Sequence, residues 1–181
     1  MNELFLKTYD QITEFIETQP IDLQIPIRGL MYSHLTKTAQ ESVLLEFSKK
    51  LYGDAGQIEN PLYQVLYGYN YVHSLAKSGS GELEDEVRKY FRICKKYFLT
   101  CELTPTPFHP IDNIPALLSY TFRLSRVMLK FGNYSTAKDI FDWSSGTLQR
   151  LNYLQIIKDS GVLSEAADTE IEFIVKKPDF L

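Results

Sequence analysis

Apolar side chains recur every three or four residues along most of the chain, a spacing that places them on one face of an α-helix. The same periodicity, combined with capping residues and with Pro or Gly breaks, predicts helices at 2–18, 38–52, 60–77, 82–100, 115–130, 135–143 and 147–159. The sequence therefore predicts a mostly α protein in which six or seven helices pack as hairpins or as a bundle.

Two segments instead alternate between apolar and polar residues, which is typical of β-strands. Segment 21–27 alternates strictly, but Pro26 restricts it to an edge strand or an extended segment. Segment 170–176 also alternates, and a strand there needs a partner for its backbone amides and carbonyls. The candidates are 162–163, 21–27 or a strand of another chain, and the first is favoured because pairing near neighbours costs least entropy. We therefore expect a small two-stranded β element near the C-terminus.

The chain is predicted to contain two helical subdomains that share one core. A proline-rich segment at 104–110 is the expected boundary between subdomain 1–103 and subdomain 111–181, the latter with the β tail. The helix at 115–130 is apolar around most of its circumference, so we expect it to be central and buried.

The turn after that central helix contains Gly132 and Tyr134, followed by Ala137 and Phe141. This pattern resembles a tetratricopeptide hairpin, in which a Gly-x-Tyr turn precedes a small residue at the helix crossing and then an aromatic residue. The resemblance covers about 115–144 and implies helix-on-helix packing. The closing proline of that family is missing and no second copy follows, so an array is not predicted; the alternative is an ordinary helical hairpin with a glycine turn.

The order of elements predicted from 115 to 177 is also similar to a winged helix. Under that resemblance the helix at 147–159 is the recognition helix, and its polar side chains would read base edges in a major groove: Gln149, Arg150, Asn152, Gln155 and Lys158. Four acidic residues on the expected wing would repel phosphates: Glu165, Asp168, Glu170 and Glu172. Because winged helices also bind proteins, the resemblance is compatible with either kind of partner.

Charge and cysteine content narrow the class of protein. The net charge is −4, whereas nucleic-acid binders usually carry net positive charge, so nucleic acid is a disfavoured partner. No stretch approaches the ~20 apolar residues that a membrane span requires. Cys94 and Cys101 lie ~10 Å apart on one predicted helix, too far for a disulfide within it. Together with an N-terminus that lacks a signal-peptide pattern, these features favour an intracellular, cytoplasmic setting.

Two stripes of side chains are candidate partner-binding surfaces. Tyr63, Tyr67 and Tyr71 follow one another at helical spacing, which favours either a binding ridge or a helix packed between two neighbours. The second stripe consists of the charged residues of the central helix, which are expected to contact an acidic surface, either 82–86 of this chain or a partner: Arg123, Arg126 and Lys130.

The sequence offers no catalytic, metal or cofactor residues with recognised spacing. No two of His34, His73 and His109 have metal-ligand spacing, and the cysteines form no Cys-x2-Cys pair. The interval from Arg28 to His34 is similar to the arginine-to-histidine spacing of helical HEPN ribonucleases, but it follows a Pro-rich segment near the N-terminus.

Three functions are therefore considered. The leading hypothesis is a non-enzymatic subunit that binds protein partners, as an adaptor or as a component of a larger assembly. The alternative is a winged-helix nucleic-acid-binding protein, and the third is a helical enzyme such as a HEPN-like ribonuclease.

Overall fold

The structure is a computed structural model that describes residues 3–38, 41–58, 61–100, 113–153 and 162–175. These residues form eight α-helices and no β-strand: α1 (Glu3–Glu17), α2 (Ile21–Thr38), α3 (Glu41–Ala55), α4 (Pro61–Lys77), α5 (Leu83–Thr100), α6 (Asn113–Lys130), α7 (Tyr134–Tyr153) and α8 (Val162–Val175). The predicted α-helical class and hairpin packing are confirmed, with one helix more than the upper expectation. The helices form two compact units, Met1–Ser80 and Gly81–Leu181. The predicted boundary at 104–110 lies outside the described residues.

In the first unit, α3 packs against α2 and α4, and α1 packs against α2. The core shared by α2, α3 and α4 is apolar and aromatic, and its most deeply buried members are Ile25, Leu35, Leu51 and Ala55.

The strand expected at 21–27 is wrong, because α2 begins at Ile21. The carbonyl oxygen of Pro20 accepts hydrogen bonds from the amides of Leu23 and Gln24, at 2.9 and 3.0 Å, which starts the first helical turn. Pro26 lies in the second turn of this helix. The buried positions of α2 follow helical rather than alternating spacing: Ile25, Arg28, Tyr32 and Leu35. Packing against α3 therefore overrides the local alternation.

In the second unit, α6 is contacted by α5, α7 and α8, which confirms the prediction of a central helix. Its inward side chains are almost completely covered, among them Leu118, Phe122, Leu124 and Met128.

The turn between α6 and α7 has a Schellman cap. The amide of Gly132 donates to the Leu129 carbonyl at 3.1 Å, and the amide of Asn133 donates to the Met128 carbonyl at 3.0 Å. Gly132 has φ of +75°, which a residue with a Cβ adopts only at a cost. Asn133 then caps α7, since its Oδ1 accepts from the Thr136 amide at 3.2 Å. A tight helical hairpin therefore forms where the glycine turn predicted it.

The C-terminal part departs from the expected elements. The helices predicted at 135–143 and 147–159 are one continuous helix, α7, within the described residues. Residues 162–175 form α8, so the expected two-stranded β element is wrong and the wing of a winged helix is not formed there. α8 packs on α6 and buries Val162 and Thr169, while its Phe173 contacts the rings of Tyr134 and Phe141 on α7. This helical contact explains why the alternating pattern did not produce a strand.

Candidate interaction groove between two helices

An open groove of about 410 Å³ lies between α5 and α7 in the second unit. Most of its polar lining is cationic and most of its apolar lining is aromatic: Arg88, Phe91, Arg92, Lys95, Asp139 and Trp143. Among the described residues, no group of three His, Cys, Asp or Glu side chains could hold a metal ion.

The groove's cations are held in a row by the burial of the opposite face of α5. Five apolar side chains fix that face in the core of the unit: Leu83, Val87, Tyr90, Cys94 and Tyr97. Arg88, Arg92 and Lys95 follow at i, i+4 and i+7, with Leu99 continuing the same face at i+11. Leu99 is 72% exposed. We call these four residues the α5 row; it presents three cations and one apolar side chain along about 60° of the helix circumference.

The aromatic part of the groove is a cluster around Trp143 of α7. Its ring lies edge-on to Phe91, with centroids 5.3 Å apart, and at 5.7 Å from the ring of Phe98. The Nζ atom of Lys95 lies 4.8 Å from the centroid of Phe91, within cation–π range. Trp143 is only half-buried, so part of its indole remains available to a ligand.

One end of the groove is an ion-pair site. Arg88 donates from Nε and Nη2 to Oε1 of Glu84, at 3.0 and 2.8 Å. Thr136 Oγ1 also donates to this oxygen, at 3.4 Å. Hydrogen bonds from Asn133 and Arg88 hold the pKa of the Glu84 carboxyl below its ordinary value, so the carboxyl stays ionised. Arg92, in contrast, is an exposed cation in the middle of the row.

The tyrosine stripe does not form an exposed ridge. Tyr67 and Tyr71 are buried, and Tyr63 is half-buried against the core of the first unit. Tyr71 stacks on Tyr52 of α3, with ring centroids 5.7 Å apart. Burial, followed by repulsion from Tyr63, raises the pKa of Tyr67 to about 12. These tyrosines therefore contribute to packing within the first unit, where α4 packs against α3.

The arginines of the central helix face an acidic surface of their own chain. Arg123 Nε donates to Glu165 Oε1 at 2.8 Å, and Arg126 Nε donates to Glu172 Oε1 at 2.7 Å. Arg126 Nη1 also contacts the second oxygen of Glu165, at 3.2 Å. The acidic surface that these two arginines contact is therefore α8, and not the segment 82–86 that was expected within this chain. Lys130, the third residue of the stripe, is exposed.

The described residues do not form the separate recognition helix on which the side chains proposed for base recognition were expected. Gln149 and Arg150 are exposed on α7, and Arg150 Nη2 donates to the Phe98 carbonyl at 2.6 Å. Asn152 lies in the last turn of α7, whereas Gln155 and Lys158 lie outside the described residues.

Arg28 and His34, the pair with ribonuclease-like spacing, have different environments. Arg28 is 4% exposed and forms an ion pair with Asp54, while its Nη2 lies 3.9 Å from Glu17. His34 is exposed on the same helix. Arg28 therefore has a structural partner in α3.

The groove is not among the surfaces that the sequence predicts. The spacing of Arg88, Arg92 and Lys95 was a readable signal, because it aligns three cations on one face. The position of Trp143 was not readable, since it depends on how α5 and α7 pack.

Comparisons with known proteins give no relative from which a function could be transferred. No protein-family model, curated protein or solved structure matches this chain. Among the described helices, none combines the length and the hydropathy that a membrane span requires.

Proposed function

We propose that this protein is a non-enzymatic interaction subunit, an adaptor or a component of a larger assembly, that binds another protein through the groove between α5 and α7. The observation that carries this proposal is the juxtaposition of the α5 row with the half-buried indole of Trp143.

The residue types of this surface are those that dominate protein interfaces. Arginine and tryptophan are enriched among the side chains that contribute most binding energy, because each combines a large contact area with directional polar groups. Arg92 and Leu99 both project from a rigid helix, whose buried face is fixed by the core. A surface held in this way loses little conformational entropy when a partner binds.

The alternative of winged-helix nucleic-acid binding has less support. It required a separate recognition helix at 147–159 and a β wing, and α7 and α8 occupy those segments where they are described. Arg150, its central cation, instead contacts the backbone of α5.

The test is co-purification of the tagged full-length chain from its native cells after mild crosslinking, with partners quantified by mass spectrometry. The groove variant carries Arg92→Glu with Lys95→Glu. The control variant carries Lys49→Glu with Lys77→Glu, two exposed lysines of the first unit, and changes net charge by the same amount.

A stoichiometric protein partner should be recovered with the wild type and the control variant, and lost with the groove variant. Circular dichroism and thermal melts of both variants establish that each is folded. Equal partner recovery with all three proteins would refute binding through the groove.

A further inference from the structure

We infer that the groove recognises an acidic peptide segment that carries at least one large apolar side chain. This inference rests on the proposed function and adds the chemistry of the partner to it.

The electrostatic part of the inference comes from the α5 row. Arg92 and Lys95 lie one turn apart and ~4.5 Å from one another along the helix axis, and Arg88 lies ~6 Å away on the other side of Arg92. Among the described residues, Asp139 is the acidic side chain that lines the groove, and Glu84 pairs with Arg88 at its end, which leaves Arg92 and Lys95 as cations without an ion-pair partner there. A protein with net charge −4 thus presents a local cationic surface, which attracts a segment of opposite charge.

Carboxylates fit the donors of this row. The guanidinium of Arg92 offers a planar set of donors that can hold a carboxylate through two parallel hydrogen bonds. Acidic side chains on a peptide also recur at separations of a few ångströms, comparable to the spacing of the cations. Arg88 already binds the carboxylate of Glu84 in this part of the helix, which demonstrates the chemistry within the chain itself.

The apolar part of the inference comes from Trp143 and Leu99. Trp143 is half-buried at the groove, and Leu99 is exposed at the end of the cation row. An apolar side chain of the partner would cover Trp143, and a segment that follows the row would also reach Leu99; both contacts remove apolar surface from water. A purely acidic ligand would leave them exposed, so we expect a mixed sequence.

Nucleic acid fits the same groove less well. Asp139 and Glu84 stand next to the cations and repel a phosphate backbone, which carries a charge at every nucleotide, more than a peptide whose acidic residues can be spaced to avoid them. The ring of Phe91 is buried and already engaged by Lys95 and Trp143, so it cannot serve as a platform for stacked bases.

The experiment is selection of random displayed peptides on the immobilised full-length protein, followed by fluorescence titration of the enriched peptides. The groove variant and the control variant defined above are titrated in parallel, and labelled oligothymidine serves as the nucleic-acid probe. The inference expects enriched peptides that combine Asp or Glu with Trp, Phe or Leu. Their affinity should fall about tenfold or more in the groove variant, stay unchanged in the control variant, and weaken as salt is raised.

The outcomes separate this inference from the proposed function. Enriched peptides that lack acidic residues, yet lose affinity in the groove variant, would overturn the acidic chemistry and leave an interaction groove. Oligothymidine that binds in an Arg92-dependent manner, without enriched peptides, would overturn both in favour of nucleic acid. Failure of every probe to distinguish the groove variant from the wild type would overturn the inference, while co-purification of a partner tests the proposed function separately.

Discussion

The Oγ atom of Ser125 on α6 donates a hydrogen bond to the backbone carbonyl oxygen of Ala137 on α7, over 2.6 Å. Both residues are completely buried. Farther from the turn, the hydroxyl oxygens of Thr121 and Ser144 lie 2.6 Å apart. Because the contacts pair earlier positions of α6 with later positions of α7, the two helices are antiparallel. Their close approach depends on small side chains at the crossing.

Enlarging the side chain at this crossing should be destabilising. We expect Ala137→Leu to lower the free energy of unfolding by about 1–3 kcal/mol or more, because the added methyl groups have no space. The matched control is Ala167→Leu on the exposed face of α8. This substitution should change the free energy of unfolding by less than about 0.5 kcal/mol. Denaturant melts can follow the fluorescence of Trp143, the single tryptophan, which lies in the second unit. Equal effects of the two substitutions would contradict the close crossing.

Two glycines of the same hairpin should respond to alanine with opposite signs. Gly132 has φ of +75°, where a Cβ is strained, so Gly132→Ala should destabilise by about 1–2 kcal/mol. Gly146 lies inside α7 with no heavy atom near the position of an added Cβ. Gly146→Ala should therefore stabilise by about 0.5–1 kcal/mol through helix propensity. Thermal melts of the two variants check the pair, and a loss of stability in both would refute the assigned difference in backbone conformation.

Truncating a leucine side chain at the centre of α6 should destabilise the protein as much as truncating a buried core leucine usually does. Leu124 is fully buried, so Leu124→Ala should lower the free energy of unfolding by about 2–5 kcal/mol. The control Leu163→Ala removes the same atoms from a side chain that is 58% exposed, and a change below about 0.5 kcal/mol is expected. A loss below roughly 1 kcal/mol for Leu124→Ala in denaturant melts would place α6 at the surface.

Several parts of the fold can be predicted from the local sequence pattern. The central position of α6 follows from its nearly continuous apolar surface, and the glycine turn follows from the sequence at Gly132. The buried face of α5 was likewise readable, because its apolar residues keep strict helical spacing over several turns.

The wrong strand predictions arose where a short sequence pattern is compatible with both a strand and a helix. Segments 21–27 and 170–176 each contain apolar residues at alternating positions, yet a helix buries only some of them and exposes the rest. Leu23 and Ile171 are exposed in the structure. What favours the helix at 162–175 is its packing on α6, together with the pairing of Glu165 and Glu172 with arginines of that helix. Such contacts join residues about forty positions apart, so no local window reveals them. The same limit hid the groove, which exists only after α5 and α7 pack.

The ion pair between Arg28 and Asp54 should contribute to the stability of the first unit. The Arg28 side chain is 5% exposed, so removing Asp54 would leave a buried cation whose remaining ion-pair contact is the longer one to the exposed Glu17, at 3.9 Å. We expect Asp54→Ala to destabilise by about 3 kcal/mol. The exposed control Asp10→Ala should have an effect within about 0.5 kcal/mol. Hydrogen exchange of α2 and α3 amides measures the loss within this unit.

A double variant distinguishes the cost of an unpaired charge from a general loss of packing. Arg28→Met with Asp54→Ala removes the buried cation as well, and it should recover part of the stability that Asp54→Ala loses. A double variant less stable than Asp54→Ala would mean that packing of the Arg28 side chain, rather than its charge, dominates.

The thiol of Cys94 should be inert in the folded protein. Burial raises its pKa to about 12, which outweighs the opposing hydrogen bond with Tyr90, so almost no thiolate exists near neutral pH. In a Cys101→Ser background, a thiol reagent should modify Cys94 at the slow rate set by opening of the fold, and rapidly once denaturant is added. The control combines Cys101→Ser and Cys94→Ala with Leu99→Cys, which exposes a thiol on the same helix and should react at the rate of a free cysteine. The unfolded thiol ionises at about its ordinary pKa of 9.0, so the folded state holds the proton more tightly. The free energy of unfolding should therefore fall as the pH rises from 9 toward 12. Rapid modification of Cys94 in the native protein, matching the Leu99→Cys control, would show that α5 does not bury the face on which the groove's cation row depends.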